Sequence, residues 1–153
     1  MNTLTLQAIE AEHKRLGAMI EALKQQRTFP ITVQAPALAE GEIHVGTLIS
    51  TDGQRCEHLI LLPGDFEGTW KESLAWAESL GGQLPDRVEG ALLFAHAKDE
   101  FKAEAYWTRE QHAANSACAW YQNFTSGYQY GNTTDYRLRA RAVRRSPIQS
   151  LTH

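Results

Sequence analysis

Four segments decide how this chain is read: GGQLPDRVEGALLFAH (81–96), AYWTREQH (105–112), CAWYQNFTSGYQYG (118–131) and YRLRARAVRR (136–145). In the first, Gly81-Gly82 stops one helix and Asp86, after Leu84-Pro85, caps the next, Arg87–Ala97. Val88, Ala91, Leu92 and Ala95 recur at helical spacing and form its expected buried face, widened by Leu93 and Phe94. The remaining segments are short, aromatic and joined by polar turns, so they read as strands near 105–108, 117–124, 128–130 and 136–145. In the last of these Arg137, Arg139 and Arg141 alternate with Leu138, Ala140 and Ala142, the period-two pattern of a half-exposed strand.

Toward the N-terminus the signals are equally local. Thr69–Leu80 is a helix, with Thr69 as N-cap, Glu72 as its capping-box partner, and Trp70, Leu74, Ala77 and Leu80 facing inward. Before it, Glu42–Ser50 and Cys56–Leu62 read as two strands joined by the turn Thr51-Asp52-Gly53, a hairpin closed off by Pro63-Gly64-Asp65. Helices flanked by antiparallel strands make the fold class α+β. Residues 28–41, TFPITVQAPALAEG, lack periodicity and carry Pro30 and Pro36, so they read as an extended connector. The expected organisation is an N-terminal helix (1–28), a linker (29–41), a globular domain (42–147) and a short tail (148–153).

Residues 3–27 form the clearest helix. Leu6, His13 and Ile20 occupy one core position of a heptad, and Ile9, Leu16 and Leu23 the other. Thr3 or Thr5 can cap its start, and Glu10 and Lys14 can pair one turn apart. Two readings stay open: a parallel coiled coil that makes a homo-oligomer, with a trimer as one form, or a helix docked on its own domain. Gly17 lowers helix propensity by about 1 kcal/mol, so three heptads alone make a weak zipper.

Composition excludes several classes. A net charge of −3 gives no argument for nucleic acid, and no run approaches the ~18 apolar residues of a membrane span. The opening residues show no basic region followed by an apolar one, so no signal peptide is read. Two cysteines, Cys56 and Cys118, make a disulfide framework unexpected and fit thiols in a reducing compartment.

Taken together, Trp70 and Ala75, Leu84-Pro85, Glu89, Tyr106-Trp107, Trp120, Phe124, Gly127 and Arg141–Arg144 resemble the Lcl C-terminal family. That family pattern is a helix with W…A, then G-x-R-L-P-T-x-x-E, Y-W-S-S, a-W-x-x-x-F-x-x-G and v-R-x-V-R. The resemblance covers roughly residues 42–145. It departs from the pattern at Gln83, Asp86 and Thr108-Arg109, and Trp76 and Ala142 stand where many members carry a cysteine pair. The resemblance implies a fold similar to C-type lectins and formylglycine-generating enzymes, a phage or prophage setting, and pairing of the first strand with the last. Its location is then expected to be the host cytoplasm or the virion.

Trp70, Trp107, Trp120 and Phe124 are expected in the core, since large rings dominate burial in a small domain. Tyr121, Tyr128, Tyr130 and Tyr136 alternate instead with polar residues such as Asn123 and Asn132, the chemistry of adaptable recognition surfaces. The candidate ligand- or partner-binding residues are therefore Tyr121, Asn123, Tyr128, Tyr130, Asn132 and Tyr136, presented by loops 109–117 and 121–136. The ligand class is a surface glycan or a bacterial protein. An intracellular factor that blocks a host protein and a structural virion component are the rival readings.

Catalysis has little support in the sequence. Cys56 and Cys118 do not make the close pair that formylglycine generation needs. The six histidines, at 13, 44, 58, 96, 112 and 153, show no metal-binding spacing, and Glu110 and His112 have no nucleophile beside them. His44 and His58 can approach across the first hairpin, read as a chance pair on a solvated face. No enzyme activity, cofactor or metal is expected.

Overall fold

The Glu42–Leu62 hairpin takes the form its turn dictates. Gly53 adopts φ 72°, a left-handed conformation that carries little steric cost without a Cβ, and the Ser50 N–H donates to the Arg55 carbonyl at 2.8 Å. The strands are β1 (Ile43–Ile49) and β2 (Cys56–Leu61). This computed structural model describes residues 5–27 and 33–148. Thr3, Pro30 and most of the tail, read above as a cap, a connector residue and a C-terminal extension, lie outside the described residues.

After β2 come β3 (Phe66–Gly68), α2 (Trp70–Ser79), α3 (Arg87–His96), a 3-10 turn (Lys98–Glu100), β4 (Ala105–Gln111), β5 (Cys118–Asn123), β6 (Gln129–Thr133), β7 (Leu138–Ala140) and β8 (Val143–Pro147). They build two mostly antiparallel sheets, ordered β1-β2-β8 and β3-β7-β4-β5-β6. The fold is α+β. Both helices start as the sequence dictates: Thr69 and Glu72 form a capping box on α2, and Asp86 and Glu89 form a second on α3.

Two cores result. One lies among α3, the smaller sheet and one face of the larger sheet, with Leu59, Leu61, Leu93, Tyr106, Phe124 and Val143 at its centre. The other lies under α2 on the opposite face, built on Leu62, Ala77, Leu84, Trp107, Ala119 and Ala140. The rings at Trp107 and Phe124 are buried as expected, and Trp70 is half-buried against the second core.

Three expectations are corrected. The first and last strands do not pair: β2 lies between them, with Leu59 opposite Arg145 and Leu61 opposite Val143. Leu59, Ile60 and Leu61 are all fully buried, so β2 takes the central place with a partner on each edge.

The segment 136–145 is not one strand. It breaks at Arg141-Ala142 and its halves join different sheets. Arg137 and Arg139 do pair with carboxylates, Glu72 at 3.3 Å and Asp65 at 3.0 Å. Arg141 turns inward instead, donating to the Glu100 and Leu62 carbonyls at 2.6 and 3.0 Å, and burial pushes its pKa down.

The buried face of α3 is displaced by one position. Glu89, Gly90 and Leu93 are buried, whereas Val88, Ala91 and Ala95 are exposed. Arginine partners offset the cost of burying Glu89, and Gly90 packs beside Gln122.

Residues Gln34–Gln149 form one unit and α1 (Leu6–Arg27) belongs to another. Residues 34–41 of the connector are therefore built into the domain: Arg144 donates to the Ala37 carbonyl at 2.9 Å, and the Ala39 N–H donates to Glu42 at 2.8 Å. The Arg144 hydrogen bonds, with that N–H, lower the Glu42 pKa from 4.5 to about 2.

In α1 the Thr5 hydroxyl accepts from the Ala8 N–H at 3.2 Å. Its described ion pairs are Glu12–Arg15 and Glu21–Lys24, rather than Glu10–Lys14. Leu6, Ile9, Leu16, Ile20 and Leu23 are exposed. No helix among the described residues is long and apolar enough to cross a membrane.

Candidate functional site

The β5–β6 hairpin is where the predicted residues gather. Its turn is made by Asn123, whose Oδ1 accepts from the Thr125 and Ser126 N–H groups at 2.7 and 3.1 Å, and by Gly127 at φ 81°. A Cβ on Gly127 would sit 2.7 Å from the Phe94 ring, so backbone conformation and packing both demand glycine there. Register then sets Tyr121 opposite Tyr130, Trp120 opposite Gly131 and Gln122 opposite Gln129. Because side chains alternate along a strand, the tyrosines fall on one face and the glutamines on the other.

The glutamine face is fully engaged. Gln122 Nε2 donates to the Gly127 carbonyl at 2.9 Å, and Gln122 Oε1 accepts from Gln129 Nε2 at 2.8 Å. Gln129 also donates to the Arg87 carbonyl at 2.7 Å and accepts from Arg87 Nε at 3.0 Å. The Arg87 guanidinium lies 3.7 Å from the centre of the Trp120 ring, and His112 stacks on that ring at 4.7 Å. Trp120 is thus half-buried beneath polar neighbours, outside either apolar core.

The first turn of α3, against which this face sits, is anchored by charge. Glu89 has no exposed surface, accepts from Arg145 at 2.6 and 2.7 Å, and lies 2.9 Å from Arg55. Burial raises the neighbouring Asp86 carboxyl, but the Glu89 N–H and the Arg55 and Arg109 charges outweigh it and hold its pKa low.

On the other face α2 packs over β3, β7 and β4. Tyr121 is half-buried against the core beneath α2, and Tyr130 touches it with ring centroids 6.2 Å apart. Tyr128 meets Tyr130 edge-on at 5.9 Å. Tyr128 is 63% and Tyr130 51% exposed, so two rings in mutual contact face solvent beside Asn132.

The structure therefore brings Tyr121, Tyr128, Tyr130 and Asn132 onto one face. Asn123 is spent on the turn. Tyr136, also exposed, stands apart in the Thr133–Tyr136 turn. The loop after β4 is held close to its own backbone, with the Asn115 N–H donating to His112 and the Cys118 N–H to Asn115.

One reading of the histidines is overturned. His44 and His58 do meet, with ring centroids 4.9 Å apart, but His58 is buried at 3% exposure, not on a solvated face. A β-bulge brings this about, since the register passes from His44 opposite Ile60 to Gly46 opposite Leu59. Among the described residues, no three or more His, Cys, Asp or Glu side chains form a group that could hold a metal ion. Cys56 and Cys118 are free thiols.

Compared with known proteins, the chain matches no protein-family model and no curated protein.

Proposed function

We propose that this chain is a non-enzymatic binding module whose contact surface is the Tyr121–Tyr128–Tyr130 face of the β5–β6 hairpin. The observation that carries this reading is the pair of solvent-facing rings, Tyr128 and Tyr130, held in contact on a hairpin whose opposite face is fixed by the hydrogen bonds of Gln122 and Gln129. A large exposed ring on a rigid support offers contact area at small conformational cost, and its hydroxyl supplies a polar handle. Asn132 adds a polar group at the same edge.

The ligand class is a surface glycan, whose C–H faces lie against aromatic rings, with a bacterial protein surface as the second class. The resemblance to the Lcl C-terminal family extends the proposal to a C-type-lectin-like fold and a phage or prophage setting. Homo-oligomerisation through Leu6, Ile9, Leu16, Ile20 and Leu23 completes the reading, since several weak sites on one assembly raise avidity with no new contact.

The test compares the full chain with its Leu16→Asp variant by solution mass, and then by binding to intact bacterial cells and to immobilised glycans. The expected outcome is a multimeric wild type that binds and a monomeric variant whose binding is weakened. A wild type that ignores both cells and glycans but captures one bacterial protein from a lysate would replace the glycan with a protein partner. A monomeric wild type would remove the oligomer from the proposal.

A further inference from the structure

We propose that His44 and His58 form a two-nitrogen site for a divalent transition-metal ion of the zinc class. His44 Nε2 lies 3.2 Å from His58 Nδ1, with the rings inclined at 81°. A tetrahedral ion with metal–nitrogen bonds of about 2.0–2.1 Å sets two ligating nitrogens about 3.3–3.4 Å apart. The observed separation is close to that edge length, and in the metal-free chain the same contact is a ring-to-ring hydrogen bond.

The backbone is what builds it. In a regular strand His44 and Thr47, three residues apart, would point to opposite faces. The bulge at Val45-Gly46 puts both on the side of His58, with Thr47 directly opposite it in register. Thr47 Oγ1 is 3.1 Å from His58 Nδ1, and the Gly46 carbonyl is 3.1 Å from His44 Nε2. Each ring nitrogen thus has one oxygen beside it in addition to the other nitrogen.

The other charges on this face, Glu42 and Arg144, are paired with each other at 2.6 Å. Beside His58 opens a cleft of about 340 Å³, walled by residues 34–37 on one side and by Ser146 and Pro147 on the other. Two protein nitrogens leave two positions of a four-coordinate ion for water or an exogenous donor, and the cleft opens onto His58, one of the two ligands.

Binding forms two nitrogen–metal bonds in place of two metal–water bonds. A proton held between the two rings moves to the outer nitrogen of its own imidazole, which selects the Nδ1–H form of His44 and the Nε2–H form of His58. Neither ring changes charge in that exchange, and no redox step is involved.

The experiment titrates the metal-free full chain with Zn²⁺ by calorimetry and with Co²⁺ by visible absorption. Wild type is set beside His44→Ala, His58→Ala and, as a control on an exposed histidine, His96→Ala. One ion per chain is expected, with His44→Ala and His58→Ala each weakening affinity by more than about tenfold and His96→Ala leaving it unchanged. His44 is only partly buried, so His44→Ala keeps the test decisive where His58→Ala fails to fold. No saturable binding, or affinity unchanged in His44→Ala, overturns the site.

Discussion

The two faces of the β5–β6 hairpin share a backbone and differ in everything else. Gln122 and Gln129 are tied to each other, to the turn at Gly127 and to Arg87. Tyr128 and Tyr130, on either side of Gln129 in sequence, are in ring contact with each other, Tyr130 also with Tyr121, and each is more than half exposed. A buried amide costs free energy unless each of its groups is paired, so the inner face can serve only the fold. An exposed tyrosine contributes little to stability and is free to meet a ligand. The comparison teaches that a hairpin can be rigid because of one face and available because of the other.

That division can be broken from the inside first. Glu89→Ala leaves Arg55 and Arg145 without their shared buried carboxylate and unseats the first turn of α3. The expected loss is about 3–5 kcal/mol, read by urea denaturation. A loss below about 1 kcal/mol would mean that the two arginines re-pair with Glu57 at no cost. Gln122→Ala removes the amide that ties Gln129 to the hairpin turn, while the Gln129–Arg87 bonds to α3 remain. It leaves the Gln129 amide and the Gly127 carbonyl short of partners, with an expected cost of about 1–3 kcal/mol in the same assay.

A smaller effect separates the hairpin from the segment that packs on the first sheet. Because Arg144, with the Ala39 N–H, lowers the Glu42 pKa from 4.5 to about 2, the stabilisation from these contacts is complete above pH 4.5 and is lost as pH falls toward 2. Denaturation midpoints measured across that window should fall with a slope that Glu42→Gln reduces. Identical slopes in the two proteins would show that the pair contributes nothing to the acid response.

How much of this was legible in the sequence depended on how local the cause was. The Thr69–Glu72 capping box and the Gly53 turn rest on neighbouring residues and were read directly. The face of α3 was misjudged because apolar spacing gives no weight to a buried Glu89, whose burial depends on Arg55 and Arg145 from two other segments. The central place of β2 follows from burial on both faces, which the unbroken run Leu59–Leu62 signalled more strongly than any alternation. The tyrosine face was half legible. Composition marked its members, but Asn123 went to the turn and Tyr136 fell elsewhere once register was set. The approach of His44 to His58 was legible from the hairpin, but the bulge that sets it and the burial of His58 leave no mark in residue type.

The most direct test of the account removes the outer face alone, in a Tyr128→Ala/Tyr130→Ala double variant of the full chain. Denaturation and binding to cells or immobilised glycans are measured on the same preparation. The account predicts stability within about 1 kcal/mol of wild type together with loss of binding. A variant destabilised by more than about 3 kcal/mol would make these rings part of the fold, and one that binds as wild type does would place the contact surface elsewhere.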